Sequence, residues 1–299
     1  MVAVSGGPDS MFLLDSVRLA GYNFVVAHVN YKKRIDSDFD EKMVRDYCQK
    51  YSLNLEVYQF QGSEYNFVSN FQDRARKIRY DFFQKLAEKY QTKYIVVAHH
   101  LDDHLETYLL QKQRWSLVDC WGLPAKIKHG KYWILRPLLS LNKQQIYQYL
   151  AQKKIDYATD ITNQLPIYQR NIVRQKLDRL NGKEKKELVK EIEEKNHGLR
   201  KIKILVKTAT KKLIIPPSIL QLSTEIKHSK EVCLRLLYSW INLATGGILQ
   251  QRKKKLLNEV YKQLFASKKV NLNIDLGNNF QIVKSNNQAV ISIKNILIS

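Results

Sequence analysis

Apolar residues follow two rhythms along the first 180 positions. Val2–Val4, Phe24–Val29 and Tyr94–Ala98 are short, nearly unbroken apolar runs rich in β-formers, and Leu53–Phe60 alternates. Between them, Met11–Ala20, Asp38–Tyr51, Asn70–Tyr90 and Asp102–Lys112 space their apolar residues three and four apart, as Val44, Tyr47, Cys48 and Tyr51 do. That spacing predicts helices with one buried face. Strands alternating with helices, the strands almost wholly apolar, predict an α/β fold with a parallel, Rossmann-like sheet covered on both faces. Ligands of such sheets sit at the carboxyl ends of the strands. Trp133–Leu139 reads as a further extended segment. Asn142 is placed to cap a helix through Lys153, and a helix over Tyr168–Leu180 stops at Asn181-Gly182.

Beyond that stop the pattern changes. Lys183–Lys212 is a highly charged helical stretch interrupted near His197-Gly198, and Pro216-Pro217 breaks it. Glu231–Leu243 and Gln250–Phe265 read as helices. Val270–Ile274 and Phe280–Ile293 alternate around Ser285-Asn286-Asn287, which predicts a hairpin. The expected division is residues 1–182 as one α/β domain and 183–299 as a second, basic, mainly helical one.

Charge changes the picture. Fifty Lys and Arg face 28 Asp and Glu, a formal net charge of +22. A chain rich in Lys, Asn, Ile and Tyr reflects compositional bias, but bias alone creates no excess of positive charge. Such an excess suits a polyanion such as RNA, whose phosphates release counterions on contact. Apolar runs fall far short of the ~20 residues that span a bilayer, and no basic stretch precedes the first strand, so a cytoplasmic protein without membrane contact is expected. Cys48, Cys120 and Cys233 lie far apart with no C-x-x-C pair. That spacing suggests neither a zinc ribbon nor an iron–sulfur site, and small buried side chains are the simpler reading.

The first chemical signal is Ser5-Gly6-Gly7-Pro8-Asp9-Ser10, set between the first strand and the first helix. Two glycines allow close backbone approach and positive φ, and a helix N-terminus attracts an anion. The loop lacks the lysine of G-x-x-x-x-G-K-[ST] and the spacing of G-x-G-x-x-G. Asp9 would repel phosphate unless a cation lay between them, which argues for Mg²⁺; the alternative is a simple helix cap. Further along, Asp102, Asp103 and Glu106 share a helical face. They suit a metal or an ammonium group, or else a solvated acidic helix start that favours the macrodipole. A zinc site on His99, His100 and His104 is a further alternative.

The loop resembles the pyrophosphate loop of the N-type ATP pyrophosphatases, and later strings narrow the likeness. His28-Val29-Asn30 with Arg34 resembles the HVNHxLR string of lysidine synthases, with Tyr31 for the second histidine and Lys33 for the leucine. Arg74-Ala75-Arg76 with Arg79-Tyr80 is similar to AR-x-x-RY, and Ala98 through Thr107 to AHHxDDxxET. The usual Arg-Gly that follows is Arg114-Trp115 here. Arg136 through Leu139 is similar to RPLL, and Asp160, Asn163, Tyr168, Arg170, Asn171 and Arg174 to D-x-x-N…RN-x-x-R. The likeness spans about residues 1–180. Thiolating relatives commonly carry paired cysteines, which this chain lacks.

The resemblance implies a two-step reaction on tRNA. The 2-carbonyl oxygen of the wobble cytidine in a CAU anticodon attacks the α-phosphate of ATP and pyrophosphate leaves. The ε-amine of free lysine then displaces AMP. ATP would lie on Ser5, Gly6, Gly7, Pro8, Asp9 and Ser10 with His28, Asn30 and His99, and Mg²⁺ near Asp9. Asp9, Asp102, Asp103, Glu106, Arg76 and Arg114 are the candidate catalytic residues. Arg170, Arg174, Lys201, Lys203 and Lys207 are the candidate tRNA contacts, with Lys211, Lys212 and Lys253–Lys255 as further basic positions. Tyr31, Trp115 and Trp133 are candidates to stack on the cytidine, although core packing is the commoner role of an aromatic. A homodimer is compatible with the sequence, which carries no signature of oligomeric state. The competing readings are another enzyme of the ATP pyrophosphatase group, such as a tRNA thiolase or an amide-forming synthetase, and a non-catalytic RNA-binding protein that keeps the loop as a relic.

Overall fold

The structure, a computed structural model, describes residues 1–32, 37–60, 71–114, 117–158, 169–215, 217–222, 229–247, 249, 253–267 and 269–294. Lys33, Arg34, Trp115, Asp160, Asn163 and Tyr168 fall outside the described residues. The chain divides into two units, Met1–Gln113 with Trp121–Val189, and Arg114–Cys120 with Lys190–Ser299.

The first unit alternates β1 (Val2–Val4), α1 (Pro8–Leu19), β2 (Val25–Asn30), α2 (Ser37–Lys50), β3 (Asn54–Gln59), α3 (Phe71–Lys89), β4 (Tyr94–Val96) and α4 (Leu101–Arg114). It continues with β5 (Lys126–His129), β6 (Tyr132–Leu135), α5 (Lys143–Lys153) and α6 (Gln169–Asp178). The strand order is β3-β2-β1-β4-β6-β5. Strands β1, β2, β3, β4 and β6 run parallel, and β5 is antiparallel to β6. The parallel sheet expected from the sequence pattern is present, with one antiparallel edge strand that the pattern did not mark. That strand, β5, went unmarked because its Lys-Ile-Lys-His run is exposed and charged, the usual protection of an edge strand, whereas the pattern marks only strands that bury a face.

Side chains alternate across the pleat, so each face has its own core. Val2, Val4, Val26, Met11, Leu14, Val44 and Ile146 pack on one side under α1, α2 and α5. Ala27, Val29, Ile95, Phe83 and Leu86 pack on the other under α3. Chain direction across the sheet reverses between the neighbours β1 and β4, the switch point where doubly wound sheets open a crevice.

The cap expected at Asn142 is present: its side chain accepts from the Gln145 amide and the Gln145 side chain accepts from the Asn142 amide. A buried carboxylate, Asp15, ties three helices together. It is 2% exposed and accepts from Arg18 at 2.5 Å, from Tyr149 at 2.6 Å and from the Tyr47 hydroxyl.

The second unit takes in most of α7 (Gly182–Leu213), with β7 (Ile214–Ile215), β8 (Ile219–Gln221), α8 (Lys230–Thr245) and α9 (Lys253–Tyr261). A π-helical turn over Lys262–Ala266 leads to β9 (Leu272–Gly277), β10 (Phe280–Ser285) and β11 (Gln288–Ile293). These five strands form an antiparallel sheet in the order β7-β8-β11-β10-β9. The expected hairpin is β10–β11, turning at Asn286-Asn287 with Asn286 at φ 49°. The expected break at His197-Gly198 is absent, and α7 runs through it. A mid-helix glycine costs only ~1 kcal/mol relative to alanine, and burial of Ile192 and Leu199 on the same helix offsets that. Trp240, Leu236, Leu257 and Ile282 fill the core between helices and sheet. Among the described residues no helix is long and apolar enough to cross a membrane.

Burial by itself would raise the Asp15 pKa, but the hydrogen bonds from Tyr149, Tyr47 and Arg18 outweigh it and hold the carboxyl below its ordinary value. Asp15→Asn is expected to cost about 2–4 kcal/mol at neutral pH, because it leaves a guanidinium facing an amide. A folded pKa below the unfolded one gives stability that is full above pH ~4 and is lost as pH falls through the folded value. The gap in melting temperature between wild type and Asp15→Asn should therefore narrow below pH ~4, which thermal unfolding followed at about pH 7 and about pH 3 measures.

Candidate active site

The loop after β1 is shaped by its glycines. Gly6 sits at φ +88°, a conformation that selects glycine. Gly7 is extended and caps α1, whose first residue is Pro8, and no side chain caps this end. Proline suits that position because its missing N–H is one the helix cannot satisfy internally. Ser10 braces the turn: its hydroxyl donates to the Gly7 carbonyl at 2.9 Å and accepts from the Ser5 amide at 3.1 Å. The uncapped N-terminus presents the positive end of the helix dipole.

Asp9, in the first turn of α1, faces the start of α4. His100 is buried between the acids. Its Nδ1 accepts from the Asp102 amide at 3.1 Å, which leaves Nε2 as the nitrogen carrying hydrogen. Nε2 stands 3.6 Å from Asp9 Oδ2 and 3.5 Å from Asp103 Oδ2. Asp103 Oδ2 also accepts from the His100 amide at 3.0 Å, so it serves as a cap of α4. Asp102 is paired with Lys185 at 2.7 Å. Glu106 is paired with Arg174 at 2.6 Å, with Arg170 at 3.5 Å.

In this cluster Asp9 Oδ1 is enclosed and has no hydrogen-bond partner. Burial pushes the Asp9 carboxyl up; His100 and Lys143 pull it down, and Asp103 and Asp102 push it up again. An enclosed carboxylate oxygen without a donor fits a cation. Mg²⁺ in nucleotide sites is held by one or two carboxylates plus phosphates, and Asp9 with Asp103 meets that need. Among the described residues no group of three or more His, Cys, Asp and Glu is arranged for a metal ion. His99, His100 and His104 point to different partners: Arg136, the Asp102 amide and the Leu123 backbone.

A cleft opens at the carboxyl ends of β1, β2 and β4, lined by Ser5, Asp9, Val29, Tyr31, Arg79 and His99 among others. His99 Nδ1 accepts from Arg136 Nε at 3.3 Å. Burial, with the positive charges of Arg136, Arg79 and Arg76 and against the pull of Asp103, pushes its pKa down to about 4. The imidazole is therefore neutral at physiological pH. Tyr31 packs its ring 5.0 Å from Phe60 at the cleft wall.

The structure brings Ser5, Gly7, Asp9, Ser10 and His99 to the cleft and Asp102, Asp103 and Glu106 to the adjoining start of α4. Gly6 and Pro8 shape the loop behind it. His28 is placed elsewhere. It alternates with the cleft-lining Ala27 and Val29, is buried, and donates from Nδ1 to the Val4 carbonyl at 2.9 Å. Burial holds its pKa below the ordinary value, so the ring is neutral, and its enclosed Nε2 has no hydrogen-bond partner. Asn30 is used internally, donating to Asp38 and Glu41 and accepting from the Lys32 amide. Arg76 is exposed and lies over the Tyr80 ring at 4.9 Å. Arg114 is exposed at the end of α4 and is counted with the second unit.

Lys201, Lys203 and Lys207 are exposed on α7, where Lys203 donates to the Asp119 carbonyl at 2.7 Å. Lys211 and Lys212 are exposed there too, as is Lys255 on α9; the side chains of Lys253 and Lys254 lie outside the described residues. Trp133 on β6 carries Lys126 over its ring at 4.4 Å. Cys48 is buried and its thiol is pushed up to about 11 by that burial, which leaves it inert.

Sequence reasoning missed two residues. Arg79 lines the cleft, and its place in the AR-x-x-RY string was the available signal. Lys185 had none: it sits in a run of alternating charges, and only the fold sets it on Asp102.

Comparison with known proteins agrees with this geometry. Residues 1–180 match the PP-loop domain family. A tRNA(Ile)-lysidine synthase of Mycoplasma mycoides subsp. mycoides is 38% identical over all of this chain and 74% of its own. That of Mycoplasma genitalium is 33% identical over 87% of this chain and 93% of its own. Among solved structures, the U34-tRNA thiolase NcsA of Methanococcus maripaludis with its [4Fe-4S] cluster superposes with a TM-score of 0.54 at 16% identity, over 66% of this chain and 71% of that one. At that identity it speaks for the fold alone. Loop, acid cluster and relatives converge, and the chain belongs to the tRNA(Ile)-lysidine synthase family, built on a PP-loop domain.

Proposed function

We propose that this protein is an ATP-consuming ligase that joins lysine to the 2-position of the wobble cytidine in the CAU anticodon of tRNA(Ile), through an adenylated cytidine. The observation that carries the reading is the enclosed, partnerless Asp9 oxygen beside a helix N-terminus at the switch point of the sheet. An acid in a phosphate site calls for a cation, and ATP with Mg²⁺ supplies one.

In this reading the first-turn amides of α1 and the Ser5 and Ser10 hydroxyls hold the polyphosphate. Asp9 and Asp103 would hold Mg²⁺, which neutralises the developing charge on the phosphates. Arg79, which lines the cleft, would supply positive charge to the phosphates, and His99, neutral, lines the same cleft without adding charge. Adenylation turns the cytidine oxygen into a good leaving group. Positioning and charge neutralisation supply most of the rate. Asp103 and Glu106 of α4 draw the ammonium of free lysine, which loses a proton before attack. The exposed lysines of α7 contact tRNA phosphates through an ionic, salt-sensitive attraction. A chain working on tRNA in this way is placed in the cytoplasm. A homodimer is compatible with the reading and is tested by sedimentation.

Asp9→Ala is expected to abolish pyrophosphate release in the presence of ATP and unmodified CAU-anticodon tRNA while leaving tRNA affinity nearly unchanged. Unaltered pyrophosphate release, or product formation that ignores lysine when nucleosides are analysed after incubation with radiolabelled lysine, would sink the reading. A second expectation concerns His99. With a folded pKa of about 4 against ~6.5 unfolded, the unfolded chain binds a proton that the folded one refuses. Its contribution to stability therefore falls as pH drops from ~6.5 towards ~4. His99→Gln should flatten that part of the acid-side loss, measured by urea unfolding at about pH 7 and about pH 5.

A further inference from the structure

Three carboxylates, Asp9, Asp102 and Asp103, meet around His100. The proposed chemistry uses Asp9 and Asp103 as cation-holding groups. Asp102 is engaged otherwise. It is 9% exposed, its Oδ1 is bound by Lys185 Nζ at 2.7 Å, and the lysine side chain is itself only 18% exposed. The other carboxylate oxygen lies 3.8 Å from His100 Nδ1, the atom that accepts from the Asp102 amide.

We infer that Lys185 is a positioning residue of the adenylation centre, a tether that keeps Asp102 from competing with Asp9 and Asp103 for the site's cations. A buried carboxylate must have a positive partner, and without Lys185 it would draw on the cation or the substrate ammonium bound in the cleft. Each of these would be drawn off its working place. Lys185 prevents this by holding Asp102 Oδ1 at 2.7 Å. It lies in the first turns of α7, three residues after Gly182, so the helix start sets the reach of its side chain. The inference rests on the reading of this cleft as the site of ATP-dependent adenylation.

The test compares the full-length wild type with Lys185→Met, Lys185→Arg, Asp102→Asn and the double variant Lys185→Met/Asp102→Asn. Adenylated-tRNA formation gives kcat and KM for ATP, lysidine formation gives them for lysine, and thermal melting reports folding. Lys185→Met is expected to lose about 10- to 100-fold in kcat, the usual cost of removing an outer-shell partner, with little change in KM for ATP. Lys185→Arg should regain most of that loss. In the Asp102→Asn background the Lys185→Met change should cost almost nothing, since two residues acting as one unit are not additive. If Lys185→Met fails to fold, the double variant, in which no charge is stranded, is compared with Asp102→Asn instead.

Wild-type kcat in Lys185→Met, an equal penalty in both backgrounds, or an Asp102→Asn protein with no detectable activity would each overturn the inference. Wild-type protein that forms no adenylated tRNA would instead bring down the functional reading beneath it.

Discussion

The first unit is organised around a charge problem. Acidic side chains crowd the mouth of a parallel sheet, on a protein whose net charge is +22, and each needs a positive partner because buried carboxylates are costly when alone. The fold supplies Lys185 to Asp102 and Arg174 to Glu106. It supplies the His100 amide to Asp103. Asp9 is left with an oxygen that no protein donor reaches. Among the described residues, that unmet acidic demand lies next to an uncapped helix start.

The same solution recurs away from the site with a different outcome. Asp15 is more deeply buried than Asp9, its side chain 2% exposed against 32%, yet Arg18, Tyr47 and Tyr149 satisfy it, and the result is a rivet between helices. The contrast separates structural from functional acids on physical grounds. Of the two, Asp9 is the one that keeps an unsatisfied carboxylate oxygen, beside a cleft. Asn30 belongs with Asp15 on this criterion, because its bonds end on the flanking helix and the adjoining loop.

Much of the first unit was legible in the chain. The two rhythms of apolar residues placed β1–β4 and α1–α5 to within a few residues, because a parallel strand buried on both faces must be apolar throughout and a flanking helix must bury one stripe. The loop at Ser5–Ser10 was legible because glycine spacing and a following helix start are local properties. The exposed edge strand β5 and the short strands β7 and β8 were not, since neither kind buries a patterned face of its own. The continuity of α7 through Gly198 was misread for the reverse reason: a local penalty of ~1 kcal/mol is outweighed by packing that the local sequence does not report.

The sequence by itself determined the α/β rhythm, the glycine turn after β1 and the acids at the start of α4, because these depend on residues close together along the chain. Only the tertiary structure decided which acids are free and which are already neutralised. That outcome depends on partners 68 and 83 positions away, Arg174 for Glu106 and Lys185 for Asp102. Long-range ion pairs leave no periodic trace in a sequence, because any exposed lysine or arginine looks the same until the chain folds and burial makes one of them indispensable.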